Sequence, residues 1–120
     1  MRDHRKLDVY HLAHQLVLMT YGITGKYPVE ERYGLTAQSR RSASSIAINI
    51  VEGCARHTER DYLRFLDIAY GSAKELQYQV LLGRDLGFLS EEVYGPVAEL
   101  STRVSQMLNA LVGVLRGARP

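Results

Sequence analysis

Apolar residues recur along this chain at steps of three and four, and no two-residue alternation competes with them. Val9, Leu12, Ala13, Leu16, Val17 and Ile23 form the first such stripe, which Gly25-Lys26-Tyr27-Pro28 interrupts. A second stripe holds Ala43, Ile46, Ala47, Ile50 and Cys54. On its opposite side Gln38, Arg41, Ser45, Asn49, Glu52 and Arg56 recur at helical spacing, an unusually polar face. Thr58 with Asp61 reads as a helix start, and Tyr62, Phe65, Leu66, Ala69, Ala73, Leu76, Val80 and Gly83 follow on one face. Gly87 suits a left-handed helix end, with Phe88 and Leu89 as its apolar contact. Ser90 caps a last stripe of Val93, Val97, Leu100, Val104, Met107, Leu108, Leu111 and Leu115, with Arg116 and Arg119 at its basic end.

The pattern predicts helices over about residues 8–25, 35–55, 59–86 and 91–116 of one domain, 1–120. Short connections make successive helices antiparallel neighbours, so the expected fold class is all-α, an up-down-up-down antiparallel four-helix bundle. A chain of 120 residues suits one core. No stretch reads as a targeting signal or a membrane span, which makes a reduced, cytoplasmic setting the expectation.

Chemistry is sparse. Cys54 is the single cysteine, so no internal disulfide forms and a Cys-rich zinc site is excluded. Its place on an apolar stripe reads as a small buried side chain rather than a nucleophile served by His57. Asp8, His11 and His14 share a helix face, yet two imidazoles one turn apart make at most half a metal site. No Glu-x-x-His pair, nucleophile elbow or phosphate-cradling glycine loop occurs. The expectation is therefore no enzyme, no catalytic residue, no metal and no cofactor.

The formal net charge of +2 opposes a strong polyanion clamp. The basic residues are nevertheless unevenly placed: residues 1–66 carry ten basic and seven acidic groups, residues 67–120 five and six. Arg32, Arg40, Arg41, Arg56, Arg60 and Arg64 fall in the first half. The end of the second helix and the start of the third meet at one pole, making Arg56, Arg60 and Arg64 neighbours suited to bidentate phosphate contacts. Glu59, Asp61 and Asp67 interleave and offer those arginines ion-pair partners instead. Tyr70 and Tyr78 lie off the main stripe of the third helix, near Gly71, which suits a subunit interface. Gly71 and Gly83, isolated within that helix, point to close helix or subunit packing.

Two motifs in register carry a resemblance. Residues 33–41, Tyr-Gly-Leu-Thr-Ala-Gln-Ser-Arg-Arg, and 45–53, Ser-Ile-Ala-Ile-Asn-Ile-Val-Glu-Gly, precede Phe65-Leu66 and the run Ala69-Tyr70-Gly71-Ser72 with Glu75-Leu76. Together they resemble the signature of the four-helix-bundle family encoded in intervening sequences of bacterial 23S ribosomal RNA genes. Ala47 stands where that family often has proline, and Ser42 and Ser44 replace more apolar residues. The resemblance implies a single bundle that assembles into a ring, a homopentamer being favoured, with no catalytic residues. The fold is similar to the accessory protein of diversity-generating retroelements, which implies nucleic acid, RNA or DNA, and a reverse transcriptase as partners. By position in the motif, Arg41, Ser45, Asn49, Glu52, Gly71, Ser72 and Glu75 carry over as packing and hydrogen-bonding determinants. The expected function is a ring-forming scaffold that holds nucleic acid weakly through Arg40, Arg41, Arg56, Arg60 and Arg64; a protein-interaction module with solvated arginines is the alternative.

Overall fold

The computed structural model describes residues 1–117, so Arg119 lies outside the described residues. Four helices follow one another: α1 (Asp8–Thr24), α2 (Leu35–Cys54), α3 (Glu59–Asp85) and α4 (Glu91–Gly117). Each boundary falls within one residue of its sequence-based expectation, because the punctuation acts as anticipated. The Thr58 hydroxyl accepts from the Asp61 amide at 3.1 Å and starts α3. Gly87 at φ 81° ends it, and the Phe88 amide returns to the Gly83 carbonyl at 2.9 Å. Ser90 accepts from the Val93 amide at 3.3 Å before α4. The start of α2 was less legible: the Glu31 carboxylate, four residues upstream, accepts from the Leu35 amide at 2.9 Å.

The helices form an all-α bundle with extents of 49 × 22 × 20 Å and no strand among the described residues. Each helix packs on its sequence neighbours, and α1 closes the bundle against α4. The core joins Val9, Ala13 and Leu16 of α1 to Ala43, Ile46 and Ile50 of α2, Leu66, Ala69 and Leu76 of α3, and Val97, Val104 and Leu108 of α4. Burying such side chains is the main force holding the helices together. Hydroxyl residues also occupy core positions. Thr20 and Thr24 are buried and donate to the Leu16 and Thr20 carbonyls, each at 2.7 Å. Val93, assigned to the α4 stripe by its spacing, is instead exposed at the helix start. No described helix is long and apolar enough to cross a membrane.

Two buried tyrosines tie the ends of the bundle. Burial pushes the hydroxyls of Tyr27 and Tyr62 up to about 12, whereas an unfolded chain releases these protons near pH 10. The folded state holds the protons more tightly, so their contribution is intact below pH 10 and is lost as pH rises to about 12. Urea unfolding of wild type and Tyr62→Phe across that window checks this. The wild-type protein is expected to lose on the order of 2 kcal/mol more than the variant, and parallel curves would refute it.

Candidate functional site

At the pole where α2 ends and α3 begins, the Arg56 and Arg64 guanidinium groups both lie over the Phe65 ring, at 5.0 and 4.8 Å from its centroid. The α2–α3 turn brings Arg56 back over the Phe65 ring, and the long Arg64 side chain reaches across to it from the preceding position. Flat cations stack favourably on aromatic faces, and the Arg64 side chain remains exposed. Arg60, one turn before Arg64, is exposed on the same end of α3. Arg56 also pairs with Glu52 at 2.6 Å. The acids expected to neutralise this cluster are partly occupied elsewhere: Asp67 pairs with Arg116 of α4, and Glu59 lies 3.9 Å from Arg2. Arg2 stacks on Tyr62 at 4.1 Å, and its amide donates to the Cys54 carbonyl at 2.7 Å, adding a cation that the sequence did not single out. The backbone of α2 and α3 is tightly apposed here, where a Cβ on Gly53 would stand 3.3 Å from the Tyr62 carbonyl oxygen.

Arg40 and Arg41 do not join that pole. They lie some fifteen residues before Arg56, about 20 Å along the helix axis. Arg40 reaches α1 instead, donating to the Thr24 hydroxyl at 2.9 Å and stacking on Tyr21 at 4.6 Å. Arg41 turns the other way, into a groove between α2 and α3. Arg32 stacks on Tyr33 at 5.8 Å in the α1–α2 connection.

That groove is where the two sequence motifs converge. Ser45 and Ser72 hydroxyls meet at 2.8 Å, and the Asn49 amide donates to Ser45 at 2.8 Å on its carbonyl and 3.0 Å on its hydroxyl. With Arg56 beside Phe65 and Ser45 beside Ser72, sequence order reverses across the seam. Gln38, Arg41, Ser42, Ile68, Glu75 and Gln79 complete the lining. Neither Arg41 nor Glu75 forms an ion pair with another described residue. Ile68, which periodicity did not flag, is 44% exposed in this lining, and Ile48 of α2 is 62% exposed.

The remaining expectations divide. Gly83 is closely packed, but nothing lies within 4 Å of a Cβ placed on Gly71, so packing inside the chain does not explain that glycine. Tyr78 is exposed, whereas Tyr70 is half-buried against the core rather than free on an outer face. Cys54 is buried, and burial pushes its thiol up. His4, His11 and His14 gather around Tyr10, with ring centroids at 4.8, 5.2 and 6.4 Å. The His11 Nε2 is engaged 2.7 Å from the Arg5 carbonyl oxygen. Among the described residues, no three His, Cys, Asp or Glu side chains form a group able to hold a metal ion.

Bundle, arginine pole and polar groove define an all-helical protein whose distinctive features are surfaces. The family model of the 23S rRNA-intervening sequence protein matches residues 5–110, and the chain belongs to that family. Its fold is similar to a crystal structure of a protein of unknown function from the S23 ribosomal protein family of Bacteroides thetaiotaomicron. That match has 24% identity and a TM-score of 0.79, over 87% of this chain and 97% of the other. No curated protein matches.

Proposed function

We propose that the chain is a non-enzymatic scaffold that assembles with further copies of itself into a ring, a pentamer being favoured, and binds RNA or other nucleic acid weakly through Arg56, Arg60 and Arg64. The stacking of two guanidinium groups on Phe65 is the observation that carries this reading. It pre-orders forked donors at a helix N-terminus, where the helix dipole also favours phosphate. Weakness per chain follows from Glu52, Glu59 and Asp61 nearby, and a ring would offset it by presenting several poles together. Membership in the family associates the protein with ribosomal RNA genes. The resemblance noted in the sequence to the retroelement accessory protein suggests a reverse transcriptase as one partner to examine, in the cytoplasm. Arg40, bound to Thr24 and Tyr21, has a smaller part in this reading, and Arg41 none.

Filter binding to single-stranded RNA at increasing salt tests the proposal. Arg56→Ala/Arg60→Ala/Arg64→Ala is expected to bind at least about tenfold more weakly at low salt. It should also flatten the logarithmic salt slope by up to about 0.7 per lost phosphate contact. Unchanged binding, or no binding by the wild type at low salt, would sink it. The mixed-charge α2–α3 groove favours a second reading, a protein-interaction module without nucleic acid, and RNA-free wild-type protein that still forms its assembly would favour that one.

A further inference from the structure

The α1–α2 connection holds a small basic cavity at the start of α2, whereas the arginine pole lies at that helix's end. It measures about 240 Å³, and Thr24, Arg32, Thr36 and Arg40 line it with no acid among them. Arg40 is fixed in place: its Nε donates to the Thr24 hydroxyl at 2.9 Å, and its guanidinium stacks on Tyr21 at 4.6 Å. A Cβ on Gly25, another residue of the lining, would stand 3.9 Å from Arg40 Nη2, and Arg40 Nη1 has no partner among the described residues. Arg32 stacks on Tyr33 and makes no ion pair among the described residues. Thr36 is only 8% exposed, yet its hydroxyl makes no hydrogen bond among the described residues. A buried hydroxyl without a partner is unfavourable, so this one calls for an acceptor.

The surroundings select the sign and size of what fits. The carbonyls that end α1 are already engaged, since those of Tyr21, Ile23 and Thr24 accept from the amides of Gly25, Lys26 and Tyr27. The Glu31 carboxylate is turned to the Leu35 amide and takes no part in the lining. Thr36 stands in the first turn of α2, where the helix dipole adds to the pull on an anion. Two guanidinium groups balance a charge of two. A phosphate monoester or free phosphate carries about −1.5 to −2 at pH 7, whereas each diester of a nucleic-acid backbone carries one charge. The cavity is also smaller than the roughly 300–1,000 Å³ of pockets that enclose larger ligands. It admits one tetrahedral group and excludes a nucleobase.

We infer that this cavity binds a phosphate dianion, either free phosphate or the terminal group of a small phosphomonoester. Arg40 and Arg32 donate from their forks, and the Thr36 hydroxyl donates the remaining hydrogen bond. Thr24 touches Arg40 and acts as a positioning residue. The inference depends neither on the ring nor on RNA binding at the other end of α2.

Isothermal titration calorimetry of the full chain at pH 8 and low, matched ionic strength tests it, with inorganic phosphate, ribose 5-phosphate and dimethyl phosphate as probes. Saturable binding of at least one of the first two is expected. Tighter binding of inorganic phosphate would identify a free ion as the occupant, and tighter binding of ribose 5-phosphate an ester. Dimethyl phosphate, a diester with one charge, is expected to bind at least about tenfold more weakly than the better dianion. Arg32→Ala, at an exposed position, is expected to weaken dianion binding at least about tenfold. Thr36→Val keeps the side-chain shape and is expected to weaken it severalfold. Circular dichroism and a cooperative melt verify that both variants fold. Arg56→Ala/Arg60→Ala/Arg64→Ala is expected to bind phosphate as the wild type does, which separates this cavity from the arginine pole. Absence of saturable binding by either dianion would overturn the inference. So would equal binding of the diester, binding that survives both Arg32→Ala and Thr36→Val, or binding lost in the triple variant.

Discussion

Leu108→Ala is expected to lower the unfolding free energy by about 2–5 kcal/mol. Val114→Ala, in the same helix, is expected to change it by no more than about 0.5 kcal/mol. Leu108 is wholly buried where α4 meets the other helices, and shortening it removes apolar contact and leaves a cavity that rigid neighbours fill only in part. Val114 is 69% exposed and touches little, and alanine is the better helix former. Against a domain stability of about 5–15 kcal/mol, the first change leaves a marginal protein. Urea or thermal unfolding of both variants measures the contrast. Equal losses would mean that α4 presents a different face to the core.

That contrast also shows how far periodicity reaches. The spacing of Val97, Val104 and Leu108 in α4 was enough to place all three inside. It did not find Ser101 and Ser105, which are buried between them. Serine escapes a hydrophobic pattern, yet it enters a core at little cost by donating to its own helix. Ser101 reaches the Ala98 carbonyl at 2.9 Å, and Ser105 that of Thr102 at 2.9 Å. Thr20 and Thr24 follow the same rule in α1.

The candidate surfaces were legible where they are local and illegible where they depend on register. Arg60 and Arg64 share a side because they are four residues apart on one helix, and a short turn returns Arg56 to them. Arg40 and Arg41 are adjacent in sequence, which invites grouping them, but consecutive helical residues point about 100° apart. One therefore faces α1 and the other α3. The groove needs residue 45 to stand beside residue 72, a long-range pairing that no spacing announces. Gly83 was legible as a site of close packing, but what it packs against was not.

Gly83→Ala is expected to destabilise the fold by about 1–3 kcal/mol despite the better helix propensity of alanine. A Cβ there would clash with the Tyr27 hydroxyl oxygen and stand 2.9 Å from Leu89 Cδ2. Of the two neighbours, Tyr27 yields less. Tyr27 is buried, with its ring against Phe88 at 5.4 Å, and Leu89 follows the turn that ends α3. The Tyr27 hydroxyl has no hydrogen-bond partner among the described residues, so it contributes bulk at this contact and no compensating bond. Tyr27→Phe alone should then be neutral or slightly stabilising, because an unsatisfied buried hydroxyl is removed. Combined with Gly83→Ala it should recover at least about 1 kcal/mol of the loss, since the nearest clashing atom is gone and contacting residues couple in this way. A double-mutant cycle by chemical denaturation measures that coupling. Strict additivity would mean that the α1–α2 connection moves off α3 when Gly83 is changed, and that Tyr27 does not set the spacing at this end of the bundle.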